Sequence, residues 1–383
     1  MGVLDLRPVG VLDFRFSRVV GVLYFSWVSA IFRYSHPSVQ SHSLRQGTTV
    51  TLRTSKSDGL NDKPAMSTKQ PAGEPDLSPE GAILRKGFAY GLFAVLVWGT
   101  YLAVSRAGVL AAGLLPGDFA LFRFLPAGIL GAFVLGTDGG RAKLRQIGWR
   151  RGIALTFCGG PLFIASATGG YLFAPLPHGA VIQPGSAVIA GLVLSHFASD
   201  QGTSRSTWFG AILIVTGLVV ANMGGNARAF ANEWIGDLLF VVAGVLWACF
   251  TVLLKRWRID PVTGTSLVSV LALLVTAPLY GAFEGFARLG MIPSSQLVLQ
   301  FTMQGVLAGF LAVVAFVKAV QLLGSARASL LPALVPVCAM LIGAPITGER
   351  PALMQLWGLA IVTLGLLMAL GATRLFLTAG RDS

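Results

Sequence analysis

From Gly87 onward the chain is a succession of apolar runs about 18–25 residues long, separated by short polar connections. That feature constrains the fold more than any other. As a helix rising 1.5 Å per residue, a run of about 20 residues covers the roughly 30 Å hydrocarbon core of a bilayer. Ten such runs are legible, at about 88–106, 117–136, 152–173, 177–197, 207–224, 235–255, 263–286, 298–322, 326–347 and 352–373. Within lipid, backbone polar groups must pair internally, so only helices and closed barrels can span. Period-two alternation is absent, which removes the barrel. The expectation is an all-α membrane protein with ten transmembrane helices. Composition agrees, since 54% of residues are hydrophobic and only 12% charged, about half the usual soluble share of roughly 25%. Disorder needs low hydrophobicity and is excluded for most of the chain. Three cysteines are too few for a disulfide scaffold, and without a CxxC pair they suggest neither redox nor zinc chemistry.

The first 65 residues differ from the rest. Their one apolar stretch, Val19 to Phe32, has 14 residues and would cover only about 21 Å as a helix. It resembles a signal h-region without a clear cleavage site. Residues 1–65 read either as an over-extended gene start, with Met66 the true beginning, or as a real, mostly disordered extension. Residues 66–86 form a polar lead, and 374–383 a short tail.

Net charge is +13, yet the basic residues are scattered between apolar runs, which argues against a nucleic-acid surface. They follow the pattern of membrane-flanking loops. With Arg85 and Lys86 inside, the inner loops carry Arg141, Lys143, Arg145, Arg150, Arg151, Arg205, Lys255, Arg256, Arg258 and Arg327, and the tail Arg374 and Arg381. The outer ends carry only Arg106, Arg228, Arg288 and Arg350. Both termini are therefore expected in the cytoplasm, in a bacterial inner (plasma) membrane.

An internal repeat is visible. Phe93-Ala-Val-Leu-Val-Trp98 resembles Val242-Ala-Gly-Val-Leu-Trp247 at an offset of 149, and Gly210 and Gly217 match Gly358 and Gly365 at 148, as Pro184 matches Pro332. Each half, 87–224 and 235–373, holds five segments. An odd number sends the second copy into the membrane from the opposite side, giving two inverted five-helix repeats with a site expected near the midplane between them.

The ordered set of motifs resembles the EamA-type branch of the drug/metabolite transporter (DMT) superfamily. Trp98-Gly99 with Arg106 near the far end of the first helix, Arg123-Phe124 in the second, Ala328-Ser-Leu-Leu-Pro332-Ala-Leu-Val-Pro336 in the ninth and Gly348-Glu349 closing it carry the likeness. In the first half, Asp200-Gln201 stands where Gly348-Glu349 would recur. The resemblance implies a multi-pass permease, often an exporter of amino acids or other small metabolites. Its partners would be a small-molecule substrate and the lipid bilayer, with room for a homodimer and no role for nucleic acid. In the resembled family the third, fourth, eighth and ninth helices line the central cavity, which makes Tyr171, Gln183, Ser186 and Phe316 lining candidates.

Other polar residues have two readings each. Arg123, about 9 Å into the second helix, locks to Asp118, a carbonyl or a neighbouring helix end, or contacts a substrate carboxylate. Pro184 in the fourth helix frees a carbonyl beside Gln183, and Pro332 and Pro336 do the same in the ninth. All three prolines are expected as helix breaks. Lys318 is expected to snorkel, Glu284 to lie at the interface, Asp237 to favour the positive end of the sixth helix, and Trp98 and Trp247 to pack. Gly305 and Gly309 permit close helix approach.

Enzyme motifs are missing. There is no H-E-x-x-H, no G-x-S-x-G, no phosphate-binding G-x-x-x-x-G-K-[ST] and no intramembrane aspartate pair. His196 and Asp200, spaced i and i+4, match acyltransferase spacing poorly. No catalytic residue, metal or cofactor is expected. The competing readings are an integral membrane enzyme and a non-transporting membrane protein.

Overall fold

The structure is a computed structural model that describes residues 79–198, 205–222, 232–328, 330–349 and 351–369. The expectations for residues 1–78 and the tail, the His196/Asp200 pair, the Asp200-Gln201 corner, Arg228 and Arg350 lie outside what it describes. The described residues form helices and turns without strands. In order these are α1 (Pro79–Ala112), α2 (Pro116–Gly136), α3 (Asp138–Ile147), α4 (Trp149–Leu172), α5 (Leu176–Ala198), α6 (Arg205–Asn222), α7 (Glu233–Arg256), α8 (Pro261–Phe283), α9 (Ser294–Leu323), α10 (Leu331–Thr347) and α11 (Leu353–Ala369). Seven are long and apolar enough to cross a membrane, and α6, α10 and α11 contain shorter apolar helices.

Local chemistry sets many of the ends. Proline opens α2 and α8, where its missing N–H is no loss. Thr137 caps α3 by accepting from the Gly140 amide at 3.1 Å, and Asp260 caps α8 by accepting from the Thr263 amide at 3.0 Å. Gly348, at φ 71°, takes the left-handed position that stops α10. α4 is interrupted at Gly160-Pro161. Pro184, by contrast, lies inside a continuous α5, so the expected break there is not seen. Pro332 sits in a tight 3₁₀ turn, Leu331–Leu334, and the α-helical part of α10 starts at Val335, one residue before Pro336.

α3 was not expected as a helix. It lies between the second and third apolar runs and carries Arg141, Lys143 and Arg145, which read as a loop. α9 holds a second surprise. Over Phe301–Leu311 its pairing widens to the π form, a feature common at functional sites.

Small residues let the helices approach closely. α6 and α11 cross antiparallel on their glycines. A Cβ on Gly365 would stand 2.8 Å from the Gly210 carbonyl oxygen, and one on Gly217 would stand 2.8 Å from that of Gly358. Gly217→Leu is expected to cost at least the 1–3 kcal/mol typical of overpacking. An unchanged midpoint in detergent unfolding would show that the seam is not needed. Gly305 of α9 likewise abuts Pro126 and the Phe122 carbonyl of α2.

Candidate functional site

α1 brings Trp98, Tyr101, Ser105 and Arg106 to its inward side at spacings of three, four and one. Trp98 is half-buried, packing on Phe316 of α9 with ring centroids 5.5 Å apart. Tyr101 is buried and lies under the Arg123 guanidinium of α2, 5.5 Å from ring centroid to Cζ. Arg123 also points Nη1 at the Gln304 carbonyl of α9, at a long 3.5 Å. None of the ion pairs among the described residues includes Arg123. It is thus a cation within a membrane helix, held by a ring face and a carbonyl, with no counter-ion among the described residues. Charges so placed usually face a cavity or a ligand.

Asp118, one expected partner of Arg123, is engaged elsewhere. It is fully buried and accepts from Tyr280 Oη at 2.7 Å, from Arg288 Nε at 3.1 Å and from the Leu115 amide at 2.8 Å. Arg288 also donates to the Gly113 carbonyl at 2.9 Å. This cluster ties the start of α2 to the α8–α9 connection.

Polar side chains bridge α9 to α1 below it. Gln300 Nε2 donates to the Val104 carbonyl at 3.1 Å, and Gln304 Nε2 to Ser105 Oγ at 2.9 Å and Gln300 Oε1 at 3.1 Å. Gln304 Oε1 is buried with no protein partner among the described residues, and so are Tyr171 Oη, Gln183 Oε1 and His178 Nε2. Such orphan groups are uncommon in folded interiors and call for an explanation. Here they lie on α4, α5 and α9, three of the helices expected to line a cavity.

The candidates are not all brought together. Tyr171 is buried against Phe240, centroids 4.9 Å apart, in the turn that ends α4. Phe316 joins Trp98. Ser186 is different, because its Cβ would meet a Cβ on Gly244 of α7 at 2.7 Å, which puts it at the α5–α7 seam. Trp247 packs between Phe163 and Phe250, and Lys318 is exposed.

Two ion pairs and one histidine–carboxylate hydrogen bond gather at the end of the bundle where α1 stops and α2, α5 and α7 start. Besides Asp118–Arg288, Arg106 meets Glu349 at 2.6 Å, with 5% and 21% of their side chains exposed. Arg106 also donates to the Tyr171 carbonyl, and Glu349 accepts from the Leu176 amide at 2.8 Å. One pair therefore joins α1, the turn after α4, the start of α5 and the end of α10. Nearby, His178 Nδ1 lies 2.7 Å from Asp237 Oδ1, linking α5 to α7. Asp237 is thus bound to a side chain and does not cap α7, whose N-cap is Asn232. In the sequence Arg106 and Glu349 stand only as separate helix ends, and neither Tyr101 nor His178 is marked as a candidate. The Trp98–Tyr101 spacing on one face of α1 was the available signal for Tyr101.

No cluster of three or more metal-ligating side chains occurs among the described residues. No curated protein matches the chain. A solved crystal structure, described only as that of a protein, superimposes with a TM-score of 0.50 and 20% identity, covering 76% of this chain and 99% of its own. That likeness concerns the fold. The model of the EamA-like transporter family matches residues 234–371, which hold all of α8 to α11 and nearly all of α7. Residues 234–371 thus match the EamA-like transporter family, which belongs to the DMT superfamily, and the long apolar helices around them are those of a membrane protein.

Proposed function

We propose that the protein is a permease built of two inverted five-helix repeats, exporting amino acids or other small metabolites by alternating access at a midplane site. The observation that carries this reading is an exchange symmetry in the packing. With α3 set aside, the first five apolar helices are α1, α2, α4, α5 and α6, and the second five are α7 to α11. The packed pairs α1–α10 and α5–α7 exchange under that swap, as do α1–α9 with α4–α7 and α2–α9 with α4–α8, while α2–α8 and α6–α11 map onto themselves. The glycine contacts repeat it at residue level, since Gly210–Gly365 becomes Gly358–Gly217. A bundle with this symmetry has two related arrangements of the same contacts, which alternation requires.

The two ends differ in this conformation. The Arg106 end is tied by two buried or half-buried ion pairs and the His178–Asp237 bond, whereas the other end has the exposed, long Lys143–Asp260 contact and an exposed Lys255, which the repeat aligns with Arg106. The reading is a state closed at the Arg106 end. Described basic residues favour the opposite end, with Arg141, Lys143, Arg145, Arg150, Arg151, Lys255, Arg256 and Arg258 against Arg106 and Arg288. By the charge rule that end is cytoplasmic in a bacterial inner membrane, with both termini inside.

Arg123 gives the site its chemistry. A substrate carboxylate would supply the counter-ion that no described residue gives it, Tyr101, Trp98 and Phe316 an aromatic wall, and the orphan oxygen of Gln304 an acceptor for an ammonium group. The assignment needs no catalytic residue, metal or cofactor. Proteoliposomes are expected to exchange labelled amino acids across the bilayer. Arg123→Gln should lower the rate at least about tenfold, the loss of one charge-assisted bond of about 1.5–3 kcal/mol. Chemical modification of candidate metabolites without their movement would instead identify an enzyme.

A further inference from the structure

The bundle end opposite Arg106 carries a second polar site that the transport reading does not use. A cleft of about 400 Å³ is lined by Lys143 and Ile147 of α3, Arg151 of α4, and Trp257, Arg258, Asp260 and Thr263 at the α7–α8 connection. That size lies within the usual range of small-ligand pockets. Its charged groups are three cations and one carboxylate. The carboxylate is occupied, because Asp260 accepts from the Thr263 amide and from Thr263 Oγ1 at 2.7 Å and stands 3.6 Å from Lys143. Burial alone would push its carboxyl up, yet the Thr263 donors and Lys143 hold it below the ordinary carboxylate range, so it stays ionised and the cleft keeps a surplus of two positive charges.

The two guanidinium groups are presented. Arg151 is exposed and stacks over Trp257 at 5.6 Å. Arg258 is exposed too, and it has the described residues' non-glycine positive φ, 52°. A left-handed arginine is a costly backbone state of a kind that gathers at ligand sites. The depth of the cleft is given by its surroundings. Trp149 is 71% exposed, and Ile153 on the same helix is also exposed, while α3 keeps Ile147 buried and turns its cations outward. Exposed tryptophan beside arginine marks the boundary between hydrocarbon and headgroups.

We propose that this cleft binds the phosphodiester headgroup of an anionic phospholipid, held by Arg151 and Arg258 with Lys143 at its rim. Guanidinium forks suit phosphate oxygens, and a basic pocket between spanning helices at the headgroup level is a recognised lipid-binding arrangement. The assignment does not depend on what the protein transports.

The test measures binding of phosphatidylglycerol and of phosphatidylcholine to the full chain in neutral detergent. Phosphatidylglycerol is expected to bind about thirtyfold tighter, from about 1 kcal/mol for each of two arginines. The R151Q/R258Q variant should reduce that ratio below about threefold. R151K/R258K should keep most of it, and R141Q/R145Q, which removes equal charge elsewhere on α3, should leave it intact. Equal loss in R141Q/R145Q and R151Q/R258Q would mean a diffuse surface field and would overturn the site. So would equal binding of the two lipids. Displacement of phosphatidylglycerol by millimolar inorganic phosphate would identify a soluble anion and overturn the lipid assignment.

Discussion

Glu349→Gln is expected to destabilise the protein by about 3–5 kcal/mol, the loss that follows when one partner of a buried ion pair is removed. Arg106 is 4% exposed, so its guanidinium cannot turn to water when the carboxylate is gone. The Tyr171 carbonyl remains as an acceptor but carries no full charge. The amide of Leu176 loses the charge it donates to as well. Arg106→Gln should cost a similar amount, because it leaves a carboxylate with one amide. The double variant Arg106→Gln/Glu349→Gln should cost less than the two single losses added, by about 0.5–3 kcal/mol. Arg106→Lys should not restore the native value, since a lysine cannot bond Glu349 and Tyr171 through one rigid fork. Denaturant titration in mixed micelles measures all four. If the single losses simply add, the two residues are uncoupled and the pair does not hold this end of the bundle together.

How much of this was written in the sequence differs by element. The apolar runs matched helices to within a few residues at most ends, because hydrophobic length is a local property, and seven of those helices are long and apolar enough to span. α3 escaped, since a ten-residue helix whose outer face is Arg141, Lys143 and Arg145 has the composition of a loop. The π stretch of α9 also escaped, since no local pattern marks it; within it Gly305 is pressed against Pro126 of another helix. The ion pairs show the same limit. Arg106 and Glu349 lie 243 positions apart, and nothing in either neighbourhood names the other. For Asp118 and Arg123 helix geometry decides. Five positions at 3.6 residues per turn separate them by about 140° around α2, so Asp118 meets Tyr280 and Arg288 while Arg123 meets Tyr101 and Gln304. Of the lining candidates, Phe316 and Tyr171 came within reach of aromatic partners. Ser186 went to a helix seam, because Gly244 lets α7 approach it.

Asp118→Ala should be the costliest single change at the α2 end, at about 3–5 kcal/mol. The residue is fully buried, and its two oxygens accept from Arg288, Tyr280 and the Leu115 amide. Alanine leaves Arg288 facing that space with only the Gly113 carbonyl, and leaves a buried hydroxyl and an amide without their acceptor. Asp118→Asn should cost less, because one oxygen can still accept while the ion pair is lost. Tyr280→Phe should cost less again, about 1.5–3 kcal/mol for one hydrogen bond to a charged group. The order Ala, Asn, then Phe is the checkable content, read from unfolding midpoints in detergent. Transport rates then separate two roles for the cluster. If the Asp118–Arg288 bonds hold the bundle closed at this end, weakening them favours the opposite state, and Asp118→Asn should change the exchange rate without a matching loss of folded protein. If the rate falls only in proportion to the folded fraction, the cluster is a structural tie between α2 and the α8–α9 connection, and closure at this end rests on Arg106 and Glu349.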